Sequence, residues 1–158
     1  MPLNSGLQIN IRITNAETNE KIAFKQDGKR FETSERTLKL CSNAKYKIQL
    51  TCQPHADFYN LHFGGSDLEL ASSSATNSGD YTSFWNTTGI DPTRRGARED
   101  LLFVLTGPSG TLRQNVQTKF YNKEDKNATN GHRLESLIWK CKLDQTTGTI
   151  SVVEEETK

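Results

Sequence analysis

Leu7, Ile9, Ile11 and Ile13 alternate with Gln8, Asn10 and Arg12. A period of two puts one set of side chains on each face of an extended chain, so this segment builds a strand with one face buried. The same period returns in Arg36-Thr37-Leu38-Lys39-Leu40 and in Tyr46-Lys47-Ile48-Gln49-Leu50. Between the first two runs, Asp27-Gly28 divides two short apolar-bearing arms, the pattern of a tight hairpin with Gly28 at positive φ. No segment keeps a 3.6-residue apolar period through three turns, so helices are short.

Further strand-like runs are Phe58–Phe63, ended by Gly64-Gly65, then Leu68–Leu70, Tyr81–Trp85, Leu101–Leu105, Thr111–Tyr121, Leu137–Leu143 and Thr149–Val153. Gly107-Pro108-Ser109-Gly110 reads as a turn, Ala71–Gly79 as a loop and Thr88–Arg98 as irregular chain. The polar run Asn122–Asn127 reads as a hairpin connection or a single helical turn. Strands recurring about every 8–12 residues define an all-β class, a single-domain antiparallel barrel or sandwich of about ten strands over 1–158. Residues 1–6 and the acidic 154–158 are expected to fray. Within Thr111–Tyr121, alternation sets Gln117, Lys119 and Tyr121 outward and Val116, Thr118 and Phe120 inward.

A formal net charge of +1 argues against a nucleic-acid binder. Met1–Gly6 shows no secretory pattern, and no apolar run reaches the ~18–20 residues that cross a bilayer. The expectation is therefore a cytoplasmic monomer without membrane insertion, with Cys41, Cys52 and Cys141 as free thiols and the latter two buried. His55, His62 and His132 lie at no metal-ligand spacing, and no nucleophile elbow or convergent carboxylate pair is present. No catalytic residue, metal site or cofactor is expected, and the chain is not read as an enzyme.

The aromatics Phe24, Phe31, Tyr46, Phe103, Phe120 and Trp139 fall in strand-like runs. Either they fill a β core, or they line a cavity between sheets that accepts an apolar ligand. Trp85, beside Thr87 and Gly89, is either a surface contact or a half-buried lid. Arg94, Arg95 and Arg98, followed at once by Glu99-Asp100, read as a solvated loop rather than a phosphate-binding patch and stand with Trp85 as candidate surface contacts.

Several linked motifs resemble the cannabinoid receptor-interacting protein 1 family. They are Phe24-Lys25 with Asp27-Gly28, Arg30-Phe31, Arg36-Thr37 and Lys39-Leu40; Tyr46-Lys47, then Pro54 and Gly64-Gly65; Tyr81-Thr82 with Thr88-Gly89, Pro92-Thr93, Gly96 and Arg98; and Gln117 with Lys119-Phe120-Tyr121-Asn122, then Cys141-Lys142. The resemblance runs from Ala23 to Cys141 and leaves the N-terminus, the Ala71–Gly79 loop and Val153–Lys158 outside it, as in a divergent member. It implies a cytosolic, non-catalytic protein with a fold similar to Rho GDP-dissociation inhibitors. The implied partner is the cytoplasmic tail of a cannabinoid type 1-like receptor, whose signalling it attenuates at the inner face of the plasma membrane. The alternative is a carrier of an acylated or prenylated protein terminus, each buried methylene contributing about 0.8 kcal/mol.

Overall fold

The computed structural model describes residues 4–26, 36–53, 57–72, 79–94 and 97–158. The Asp27-Gly28 turn, Phe31, His55 and Arg95 lie outside the described residues. Thirteen strands are present among those described: β1 (Asn4–Asn15), β2 (Ala23–Gln26), β3 (Arg36–Cys41), β4 (Lys45–Gln53), β5 (Asn60–Phe63), β6 (Ser66–Leu68), β7 (Ala71–Ser72), β8 (Asp80–Asn86), β9 (Glu99–Gly107), β10 (Gly110–Tyr121), β11 (His132–Arg133), β12 (Leu137–Asp144) and β13 (Thr149–Thr157). The polar connection after β10 contains one 3-10 turn, Lys126–Thr129. Among the described residues no helix is long and apolar enough to cross a membrane.

Ten strands follow one path, β11-β2-β3-β10-β13-β12-β1-β4-β8-β7, curled into an open half-barrel, and β9, β5 and β6 branch from β10. The apolar set of β1 sits in register between two partners. Ile9 lies opposite both Cys52 and Trp139, and Ile11 opposite both Leu50 and Leu137. These inward rows are buried, and each large apolar side chain withdrawn from water stabilises the sheet by about 1.5–3 kcal/mol. Across the interior the rings pack on one another: Phe63 on Trp85 at 4.7 Å, Phe103 on Trp139 at 5.1 Å, and Phe103 on Phe63 at 5.5 Å between centroids.

The all-β class holds, with three differences from the expectation. The sheet is mixed, because β3 and β13 both run parallel to β10. Asn4–Gly6 does not fray but pairs with Lys142–Asp144. The acidic C-terminus does not fray either, since Glu154–Thr157 pairs with Leu137–Lys140. Its charges are matched across the ladder: Lys140 Nζ lies 3.6 Å from Glu154 and 3.3 Å from Glu156, and Trp139 Nε1 donates to Glu155 at 2.6 Å.

Candidate functional site

β10 is the strand on which the sheet divides. One edge is held by β9 from Gly110 to Thr118. The other edge is shared: β13 takes Thr111 and Leu112, β3 takes Thr118 to Tyr121, and no described strand pairs with the stretch between them. Which backbone groups face this opening follows from the ends. Thr111 N–H donates to Gly148 on the β13 side, and Tyr121 C=O accepts from Ser42 on the β3 side, whereas Phe120 exchanges bonds with Thr93 on the opposite edge. The register against β9 is unbroken, so period two turns the N–H and C=O of Asn115 into the opening, with Arg113 and Gln117 flanking it. Asn115 is exposed.

The opening is a cleft of about 340 Å³ with Leu38, Val116 and Leu137 at its apolar floor and Arg36, Gln114, Gln117 and Glu155 on its walls. Glu155 ties the walls together. Its carboxylate accepts from Arg36 of β3 at 2.9 Å and from the Trp139 indole of β12 at 2.6 Å. It reaches this position because the register of β12 and β13 shifts between Lys140 and Cys141, leaving Val153 as the extra, exposed residue. Such a bulge exchanges the two faces beyond it. Gln117 Nε2 donates to Thr37 Oγ1 at 2.6 Å and closes the cleft at the end where β3 begins to pair.

Beyond that bond the outer face of β3 and β10 becomes cationic. A bowl of about 640 Å³ is lined by Lys25, Lys39, Arg98 and Lys119, with Tyr121, Thr93 and the Asp125 carboxylate among its other described residues. Lys39 Nζ and Lys119 Nζ stand 5.6 and 5.5 Å from the centre of the Tyr121 ring. Burial, and then the nearby cations of Lys25, Lys119 and Arg98, holds the Lys39 ammonium below the ordinary lysine range. Burial pushes the Tyr121 hydroxyl up.

The residues singled out from the sequence divide between core and surface. Phe103, Phe120, Trp139 and Tyr46 join the aromatic cluster, and Phe24 is buried against the His132 ring at 5.6 Å. Trp85 is not a surface residue. It is 1% exposed, because Tyr81, Ser83 and Trp85 share the buried face of β8. Arg98 lines the bowl, and Arg94 is exposed in the connection before it. Sequence reasoning did not reach Glu155, Asn115 or Lys39 as site residues. Among the described residues no three His, Cys, Asp or Glu side chains gather as a metal site would require.

The motif residues that carry the family resemblance converge here. Arg36 and Gln117 wall the cleft, and Lys25, Lys39, Pro92, Thr93, Arg98 and Lys119–Asn122 line the bowl. The family model of CB1 cannabinoid receptor-interacting protein 1 matches residues 3–157. The chain belongs to this family. The family match extends past Ala23 and Cys141 at both ends. CB1 cannabinoid receptor-interacting protein 1 of Bos taurus and that of Homo sapiens are each 29% identical to it over 131 residues, 79% of this chain and 79% of theirs. The Mus musculus protein is 28% identical over the same share. At this identity the chain is a divergent member, and by name these relatives interact with the CB1 cannabinoid receptor.

Proposed function

We propose that this protein is a non-catalytic regulator that binds the cytoplasmic tail of a G-protein-coupled receptor of the cannabinoid type 1 kind. It would act as a monomer at the cytoplasmic face of the plasma membrane and modulate the receptor's signalling. The observation that carries the proposal, within a family named for a receptor interaction, is the unpaired stretch of β10. A peptide lying in the cleft beside Asn115 completes the ladder between β13 and β3, its main chain supplying affinity and its alternate side chains meeting Leu38, Val116 and Leu137. About three to five extended residues fill a gap of that length at 3.2–3.4 Å per residue.

A carrier of lipidated termini needs room inside the sheet, and the rings of Phe63, Trp85, Phe103, Phe120 and Trp139 occupy that interior. The receptor reading therefore predicts equal binding of a tail peptide with and without an acyl chain. The test is recovery of a receptor from solubilised membranes on the immobilised protein, with synthetic receptor-tail peptides as competitors. Recovery that a tail peptide displaces supports the proposal. Failure to recover any receptor, together with no competition by tail peptides, rejects it.

A further inference from the structure

We infer that the cationic bowl at the Lys25, Lys39 and Lys119 end of the sheet is a binding site for the polyphosphorylated headgroup of a phosphoinositide in a membrane. The register makes the case. Lys39 lies directly opposite Lys119 in the parallel pair of β3 and β10. Like charges opposite each other on neighbouring strands destabilise a sheet. Lys25 pairs with Thr37, two residues from Lys39 and on the same face, so three adjacent strands each present an ammonium to one side. Glu99 pairs with Thr118, which brings Arg98, the residue before it, to the flank of Lys119. Neither Lys39 nor Lys119 forms an ion pair with a carboxylate among the described residues.

The bowl is held in shape. Lys39 Nζ donates to the carbonyls of Asn127 and Asn130 at 3.1 and 2.6 Å, fixing the 3-10 turn as one wall. Thr93 N–H donates to Phe120 C=O at 2.9 Å, and Phe120 N–H donates to Thr93 Oγ1 at 2.9 Å, fixing the other. Among the described lining residues the one carboxylate, Asp125, already accepts from the Asn127 N–H at 2.9 Å. Burial first, and then the neighbouring cations, lowers the affinity of Lys39 for its proton, and a bound anion relieves the second of these.

Charge spacing selects the ligand. Lys39 and Lys119, directly opposite on adjacent strands, stand about 4.7–4.9 Å apart at the backbone, with Lys25 on the diagonal at about 7–8 Å, whereas an extended acidic peptide repeats a same-side charge only every two residues, about 6.5–7 Å. Phosphates on neighbouring carbons of one ring match the denser array, and several Lys and Arg gathered at a surface are the usual means of holding such headgroups. Exposed Arg94 and Lys123, beside the lining residues Thr93 and Asn122, are placed to meet surrounding anionic lipid.

The test is co-sedimentation of the full chain with phosphatidylcholine vesicles containing phosphatidylinositol bisphosphate. Phosphatidylserine vesicles of equal charge, soluble inositol trisphosphate and a phosphoserine peptide serve as comparison arms. The expected result is preference for the bisphosphate vesicles, weakened by salt, with Lys119→Gln lowering affinity severalfold and Lys39→Gln/Lys119→Gln by about tenfold or more. Lys119→Gln leaves the Lys39 links to the 3-10 turn in place, and Lys142→Gln, exposed on β12 outside both the bowl and the cleft, should bind as the parent does. Equal binding to phosphatidylserine, tighter binding of soluble trisphosphate or of the phosphopeptide, an undiminished Lys119→Gln variant, or no binding at all would each overturn the assignment.

Discussion

Replacing Gly64 by Ala tests how firmly the interior is filled. Gly64 and Gly65 form the turn between β5 and β6 with φ of 61° and 81°. A side chain at either position meets the left-handed penalty, roughly 1–2 kcal/mol. Only at Gly64 does it also meet an atom: an added Cβ would sit 2.6 Å from Trp85 Cζ2 and 3.1 Å from Cε2, while at Gly65 nothing lies within 4 Å. The Trp85 ring cannot yield freely, being 1% exposed and hemmed by Phe63 at 4.7 Å and by Tyr46 and Phe120 at 6.1 Å. Overpacking of that kind costs about 1–3 kcal/mol. Gly64→Ala should therefore lose about 2–5 kcal/mol and Gly65→Ala about 1–2. Urea unfolding followed by far-ultraviolet circular dichroism measures both without relying on Trp85 as the probe, and the difference removes the shared backbone cost. A Trp85→Phe background should shrink that difference, since the atoms nearest Gly64 are then gone. Equal losses for the two glycine variants would refute the packing described around Trp85.

Three further outcomes follow from the fold. Phe120→Ala should cost about 3–5 kcal/mol in equilibrium unfolding, and a loss under about 1 kcal/mol would mean the ring borders a void. Burial pushes the Cys52 thiol from 9.0 to about 12 and the Cys141 thiol from 9.0 to about 11, so both stay protonated in the folded chain where the unfolded chain ionises. Their contribution is constant below pH 9.0 and falls above it, by up to about 1.4 kcal/mol per pH unit for each thiol, and Cys52→Ala/Cys141→Ala should flatten that alkaline decline in a denaturation series across pH. Glu155→Gln strips the charge that compensates half-buried Arg36 and should cost about 1–3 kcal/mol in urea unfolding, whereas a frayed terminus would show no change.

Where alternation alone sets the outcome, the sequence was legible. On β10, Val116, Thr118 and Phe120 are buried and Lys119 is not, as period two requires. The same rule applied from Tyr81 through Ser83 would have sent Trp85 inward, and the polar residues after it pointed the wrong way. Parallel and antiparallel neighbours share one period, so Leu38 and Ile150 carry no mark that both their strands run with β10. The bulge at Val153 is equally silent. Unbroken alternation from Ile150 would aim Glu154 inward, but the shifted register gives that place to Glu155. The cleft and the bowl draw on β2, β3, β9, β10, β12 and β13, and their like charges meet only through register. Lys39 and Lys119 are 80 positions apart in the chain.

Amide hydrogen exchange resolved at Asn115, with and without a receptor-tail peptide, bears most directly on the claim that the divided edge of β10 receives the tail. In the free protein the Asn115 amide faces the opening, while that of Val116 faces β9. Asn115 should then exchange fast beside a protected Val116, and saturating tail peptide should slow Asn115 markedly with little change at Val116. A tail peptide that binds yet leaves Asn115 exchange unaltered would contradict the account, as would an Asn115 amide already protected in the free chain.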